Sequence, residues 1–398
     1  MKKIKLLLII IILGLNTGCW NYRELNDISI VTALGIDKGG DNFLISIQVL
    51  NPKMANGSGD GGGMQESSVV TYYNSEGKSI FEGLNNISLE IPKEVDVANI
   101  DVVIISEEVA RDGLEKFIDF LLRDREVRKI FPILVAKDAR AIDILKIITP
   151  LETIPGLNIR KTLENMARQH GQLTNRTFDE VLDCLYVEGR EPSMSSIEII
   201  GNIEEGELQE NITSPLPKTT LRLNGASILL KDKLVGFLSD DESKGFDLIR
   251  NTFQKGVFSF PCDNQGNHGT IIINSINTKI DTKLIKKKPA TTVNTKISSS
   301  LMELNCHIDP YKLKNIEKIE KMASDEIKNI MNQTVIRLQT DLKSDVLGFG
   351  EMLYRNHYKD WLKYKDDWNT VFTTMDYEIK LNLNIETIGS IITHSKKD

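Results

Sequence analysis

Few residues in this chain offer reactive side chains. There are four cysteines, Cys19, Cys184, Cys262 and Cys306, and five histidines, His170, His268, His307, His357 and His394. A structural zinc site takes Cys and His at set spacings, often with a two-residue gap. Cys262 precedes His268 with five residues between, and Cys306 adjoins His307. Neither pair has that gap, so zinc would require all four to meet in space. The glycine-rich stretch Gly57–Gly63 lacks the Lys-Ser/Thr ending of a phosphate-binding P-loop and reads as a flexible loop. Asp366 and Asp367 sit in a helical stretch with Lys and Trp, which reads as a solvated face. No nucleophile elbow and no zinc-protease helix motif occurs. The expectation is a chain with no catalytic residues, no metal and no dissociable cofactor.

Cys19 is set apart by what precedes it. Lys2, Lys3 and Lys5 form a positive start, Leu6–Leu15 is apolar, and Asn16-Thr17-Gly18 leads into the cysteine. That apolar run is too short to span a bilayer, which takes about 20 residues. The layout is that of a bacterial lipoprotein signal peptide over residues 1–18, removed rather than folded. Cys19 would then become the mature terminus and carry a covalent diacylglyceryl lipid. Asn16 departs from the aliphatic residue usual three places before the cysteine, and an ordinary secretory signal or an uncleaved anchor is the alternative. Trp20 would lie at the membrane interface, where indole rings are favoured.

The elements that must position anything downstream are those of a globular protein. The chain has 398 residues, 40% apolar and 26% charged, which suits more than one core. Loss of residues 1–18 takes the net charge from −7 to −10 by removing three lysines and no acid. So acidic a total gives no electrostatic reason to bind nucleic acid or anionic lipid. Three cysteines remain after lipidation, an odd number that argues against a disulfide framework. One bridge among Cys184, Cys262 and Cys306 is possible, and its pairing stays open.

Strands are expected at Ile28–Ile36, over Phe43–Val49 with its period-two alternation, and at Val69–Tyr73, Val102–Ile105 and Phe131–Ala136. Ile80, Leu84, Ile87 and Ile91 recur at helical spacing, and Ser106 can cap a helix carrying Val109 to Leu122. Helix follows at Ala139–Ile148 and behind a capping box at Thr177–Glu180, then a strand at Ser195–Ile200. Leu221–Leu238 reads as a hairpin, Glu242–Ile249 as a short helix, and Val257–Leu304 as β-rich. A helix from Pro310 to Leu347, about 57 Å long at roughly 1.5 Å per residue, would carry its apolar stripe from Ile316 to Val346 and end at Gly348. Tyr377–Ile385 alternates as a strand. The division expected is an N-terminal α+β domain at 19–137, a more helical middle domain at 138–205, a linker at 206–219 and a C-terminal domain at 220–394. The fold class is α+β: three consecutive mixed sheet-and-helix domains, the last with a long amphipathic helix and antiparallel strands.

From Cys19 the chain reads Trp20-Asn21-Tyr22-Arg23-Glu24-Leu25-Asn26-Asp27, then Gly35-Ile36-Asp37. Ser75–Phe81, Ile104–Gly113, Phe120–Arg128 and Lys231–Leu238 continue a pattern that closes with Asp345-Val346-Leu347-Gly348-Phe349-Gly350, Tyr354-Arg355, Trp361 and Trp368. In order and in register, this resembles the Ger(x)C lipoproteins, the C subunits of spore nutrient-germinant receptors. The departures are local: Ala98-Asn99 where Gly-His is frequent, and His357 or Tyr358 where Pro is usual. The resemblance implies three small α+β domains, no catalytic site, and action with A and B receptor subunits. It implies a lipid anchor on the outer face of the cell membrane, which is the spore inner membrane. It marks Trp20, Glu24, Leu25 and Asp37 as a membrane-proximal motif. Gly348, Phe349, Gly350, Tyr354, Arg355, Trp361 and Trp368 are either core anchors or partner contacts. The alternative function is a lipoprotein that binds the germinant or another small solute directly.

Overall fold

Runs of β-branched residues build the larger of two sheets. The computed structural model describes residues 27–51, 68–124, 127–169 and 177–389. The larger sheet contains β1 (Ile28–Gly39), β2 (Asn42–Leu50), β3 (Val70–Gly77), β4 (Glu94–Asp96), β5 (Val102–Ser106), β6 (Ile133–Ala136), β7 (Ser193–Ile200), β8 (Thr220–Leu230) and β9 (Lys233–Phe237). Its order is β3-β2-β1-β5-β6-β7-β8-β9, with β4 alongside the start of β1. β1, β5, β6 and β7 run parallel. All five residues of β5 and all four of β6 are buried, as expected for parallel strands covered on both faces.

Helices supply that cover. Ser79 caps α1 (Ile80–Ser88) by accepting from the Glu82 N–H at 3.2 Å. Ser106 caps α2 (Glu107–Asp112) as expected, but Gly113 at φ 124° ends it and α3 (Glu115–Arg123) starts afresh, leaving Leu122 exposed. α4 (Ala141–Lys146) and α5 (Pro155–Gln169) follow, then α6 (Phe178–Tyr186), where the Thr177 N–H donates to Glu180 at 3.3 Å. On one face Leu84, Phe117 and Phe178 pack against Leu34, Ile36 and Val103. On the other, Leu145, Ile159 and Leu163 pack against Ala33, Ile104 and Leu134.

The short helices α7 (Ile203–Gly206) and α8 (Glu210–Thr213) lead from β7 to β8, which pair antiparallel from Ser193↔Ile228 to Ile200↔Thr220. The expected boundary at 137/138 and the expected linker at 206–219 therefore lie in connections between strands of one hydrogen-bonded sheet. Within 206–219, Asn211 is buried and donates to the carbonyls of Ile148 and Thr219 at 3.0 and 2.9 Å.

The C-terminal half begins with α9 (Asp240–Arg250), closed by a reciprocal capping box between Ser239 and Glu242. The second sheet has the order β10 (Gly256–Pro261), β11 (His268–Ile285), β12 (Lys288–Leu304), β13 (Asp376–Thr387). It is antiparallel except at its last pair. β13 lies parallel to β12, from Ala290↔Asp376 to Ser300↔Thr387, because the helical segment between them returns the chain to the end where β12 began. Cys262 and Cys306 form a disulfide with their Cα atoms 6.2 Å apart, and Cys184 is a buried free thiol.

The expected helix 310–347 is shorter and interrupted. α10 (Leu313–Arg337) starts at Leu313 and is about 38 Å long at roughly 1.5 Å per residue. A π-helical turn over Leu338–Leu342 follows, and Lys343 at φ 51° ends it. The turn buries Gln339, whose amide donates to the carbonyls of Phe372 and Met375 at 2.8 and 3.1 Å. Gly348 therefore does not end this helix. It stands at the N-cap of α11 (Phe349–Asn356), which α12 (Tyr358–Trp361) and α13 (Trp368–Thr374) follow. The two halves share β8, where Ile228 enters the C-terminal core and Leu229 enters the core under α1, α3 and α6.

Candidate functional site

The C-terminal motif converges on Asp345, which has no exposed surface. After Lys343 turns the chain, Asp345 points back at the start of α11. Its Oδ1 accepts from the N–H groups of Gly348 and Phe349 at 2.9 and 3.1 Å. Its Oδ2 accepts from the Gly350 N–H at 2.8 Å and the Trp368 indole N–H at 2.9 Å. Those three backbone donors are the ones a helix start leaves unpaired, and the helix dipole favours a negative charge there. Burial pushes the Asp345 carboxyl up to about 6, against the downward pull of the four N–H bonds.

The same turn meets the N-terminal half backbone to backbone. Gly348 adopts φ 76°, which suits glycine. The Gly189 carbonyl accepts from the Glu351 N–H at 2.7 Å, and the Asp345 carbonyl accepts from the Glu191 N–H at 3.0 Å. A methyl group on Gly189 would stand 2.4 Å from the Gly350 carbonyl carbon, and one on Gly350 would stand 2.5 Å from the Trp368 ring. Neither glycine has room for a side chain.

Three arginines surround Glu351, which is 2% exposed. Arg355 reaches it at 2.6 Å, Arg190 at 3.1 Å and Arg250 at 3.9 Å. Arg250 also donates to the Leu347 carbonyl at 2.8 Å. The Trp361 indole N–H donates to Glu188 at 2.6 Å. Trp361 and Trp368 lie 5.3 Å apart, and Tyr354 meets Trp361 edge-on at 6.3 Å. Phe349 is fully buried against Phe372 at 6.0 Å. Of the motif residues, Phe349, Gly350, Trp361 and Trp368 are buried, Tyr354 is half-buried and Arg355 is exposed.

An open cleft of about 760 Å3 adjoins this junction, lined among others by Glu188, Lys231, Asp232, Lys365, Asp366 and Asp367. A larger hollow of about 1010 Å3 lies between α1, α3 and the end of α6, with Phe81 and Tyr186 65% and 74% exposed beside it. Among the described residues no group of three or more His, Cys, Asp or Glu is placed to hold a metal.

Asp37 lies elsewhere, at the far end of β1. It is buried, and its two oxygens accept from the Ala141 and Ile142 N–H groups at 2.7 and 3.0 Å, so it caps α4. Burial raises its pKa against those bonds and the nearby Arg140 charge. Cys19, Trp20, Glu24 and Leu25 lie outside the described residues, as does the Gly57–Gly63 loop. The site reading from sequence quoted Asp345 within the closing motif without giving it a role, and missed Glu351, Arg250 and the segment Glu188–Glu191. The run Glu188-Gly189-Arg190-Glu191-Pro192 was the one local signal, a charged glycine turn directly before a strand.

Two family models match, the spore germination protein N-terminal domain over residues 21–199 and the spore germination B3/GerAC-like C-terminal domain over residues 224–389. The Asp345 junction joins the ranges they cover. Spore germination protein KC of Bacillus subtilis is 28% identical over 388 residues, covering 96% of this chain and 95% of that protein. Spore germination protein B3 of the same organism is 23% identical over 379 residues, covering 94% and 95%. The crystal structure of the GerBC protein shares the fold with a TM-score of 0.54 at 19% identity, over 89% of this chain and 96% of that one.

Proposed function

The chain belongs to the spore germination B3/GerAC-like family, and from that premise we propose that it is a lipid-anchored, non-enzymatic subunit of a nutrient-germinant receptor. Homology supports the coarser statement, a role in spore germination. The finer reading is that Cys19 carries a diacylglyceryl lipid and that A and B receptor subunits are the partners. The ectodomain would help assemble the receptor or pass on its signal from the outer face of the spore inner membrane. The observation that carries this reading is the end-to-end match of both family models. The junction supports it: the buried acids Asp345 and Glu351 are taken up by capping and ion pairing, as in a rigid joint. No helix among the described residues is long and apolar enough to cross a membrane; attachment through Cys19 is part of the proposal.

The test is a pull-down from detergent-solubilised spore membranes with wild type and Cys19→Ala. Recovery of A and B subunits with wild type, reduced in the variant, is the expected result. Absence of both subunits from the wild-type eluate overturns the reading. The polar cleft beside Lys231 and Asp366 favours a second reading, direct capture of a small charged solute. Saturable nutrient binding by the purified chain would establish that alternative.

A further inference from the structure

The whole-chain charge of −7 averages over one strongly basic feature. β11 and β12 are joined by a two-residue turn, with Ile285 paired to Lys288 across it. Both turn residues, Lys286 and Lys287, are left-handed, at φ 50° and 66°. Hairpin turns of this kind are least strained with Asn-Gly. Two lysines are the strained choice, and strain held at one position points to a role for its side chains. Lys286, Lys287 and Lys288 are all exposed. Among the described residues none of the three has a carboxylate within ion-pair reach, whereas nearby Lys283 is paired with Asp281 at 3.1 Å. Ile285, beside them, is 49% exposed. The Tyr364 hydroxyl donates to the Lys287 carbonyl at 2.5 Å and holds the tip in place.

The tip also lies at a particular end of the molecule. β1, β5, β6 and β7 are parallel, so Ile28, Val102, Ile133 and Ser193 mark one end of the large sheet. Glu188 and Gly189, just before β7, touch Trp361 and Glu351. Tyr364, three residues past Trp361, reaches the tip. The lysines therefore share the end at which the chain enters β1. Cys19 precedes Asp27 by eight residues, a reach of at most roughly 28 Å.

We propose that the Lys286–Lys288 tip rests on the anionic surface of the bilayer that anchors the chain, as a second contact that fixes its orientation. This rests on the lipid-anchor reading of Cys19. Three lysines without an arginine suit such a surface. They are hydrated point charges with no fork geometry to satisfy, and a fluid headgroup layer presents charge without fixed positions. The exposed Ile285 adds an apolar side chain at the same depth.

The experiment uses the full chain on vesicles of phosphatidylcholine with and without phosphatidylglycerol. An environment-sensitive dye is placed through Ile285→Cys or, at the opposite end of β1, Asp41→Cys; the native Cys184 is buried. Nitroxide-labelled lipids serve as quenchers, and flotation reports anchoring separately. The dye at 285 is expected to be quenched on phosphatidylglycerol vesicles and the dye at 41 to stay bright. Combined Lys286→Glu, Lys287→Glu and Lys288→Glu should weaken the tip contact on the order of 100-fold and abolish the quenching, with flotation and circular dichroism unchanged. A chain that floats with an unquenched dye at 285 overturns the proposal and leaves the anchor reading standing. Quenching that persists in the triple variant also overturns it. A chain that fails to float overturns both.

Discussion

Asp37 and Asp345 solve the same local problem in two settings. Each is a buried carboxylate that accepts backbone N–H groups at the start of a short helix. Asp37 reaches a helix about a hundred residues away, and both partners lie within the N-terminal half. Asp345 caps the helix directly after it, adds the Trp368 indole, and through its own carbonyl holds Glu191 of the other half. The first ties a helix to the end of an interior strand of its own sheet. The second makes a turn rigid so that two halves can meet on it. The same side chain therefore serves as a local fastener or as a keystone, depending on what its backbone touches.

The largest way to break this comparison is Asp345→Ala. It leaves three backbone N–H groups and an indole N–H without a buried acceptor. A loss of about 3–5 kcal/mol is expected in urea unfolding, or no folded protein at all. A loss below that of an Asp37 variant would refute the keystone role.

The pH dependence sharpens it. The folded Asp345 carboxyl lies at about 6, above its ordinary value of 3.8. The native state thus holds a proton more tightly than the unfolded chain. The stabilisation is full below the ordinary value and is lost as pH rises through the interval up to about 6. A fall on the order of 2–3 kcal/mol is expected across that window, levelling off above it. Asp345→Asn should flatten most of this slope in denaturant titrations at several pH values; an unchanged slope would assign it to other groups. Asp37 is raised in the same direction, so Asp37→Asn should leave the larger part in place. That variant keeps one acceptor and places an amide against the second N–H, with an expected loss of about 1–2 kcal/mol by thermal or urea unfolding. The smallest effect belongs to Arg355→Ala. Its guanidinium is 60% exposed and pairs with Glu351 one helical turn away, so about 0.5 kcal/mol is expected. A loss of several kcal/mol there would mean that Arg190 and Arg250 do not by themselves balance Glu351.

Elements with a strong local period were legible in the sequence. Period two placed β2 and β13, unbroken apolar runs placed β5 and β6, and Ser106 and Thr177 marked real helix starts. What failed depended on partners distant in the chain. Gly348 follows a long helical pattern and so reads as a helix end, yet Lys343 had already turned the chain and the glycine opens the next helix. The parallel pairing of β13 is set by where the intervening helices return the chain, and alternation carries no information about direction. Glu351 sits on what reads as an exposed polar face until Arg190 and Arg250 approach from other segments. The aromatic motif was visible as a set of residues. The organising role of Asp345 within it was not, because three of its four donors are backbone groups, which leave no mark in the sequence, and the fourth is an indole 23 residues away.

The place of β1 has a mechanical consequence. It is an interior strand, held by β2 along one edge and by β4 and β5 along the other. Tension applied to the chain at Asp27 would run along the strand axis, and the hydrogen bonds on both edges lie across that pull. They would be sheared as a group and could not be peeled away singly. A tether entering there would drag on the whole large sheet at once, and β8, with neighbouring residues in two cores, would carry the force into the C-terminal half.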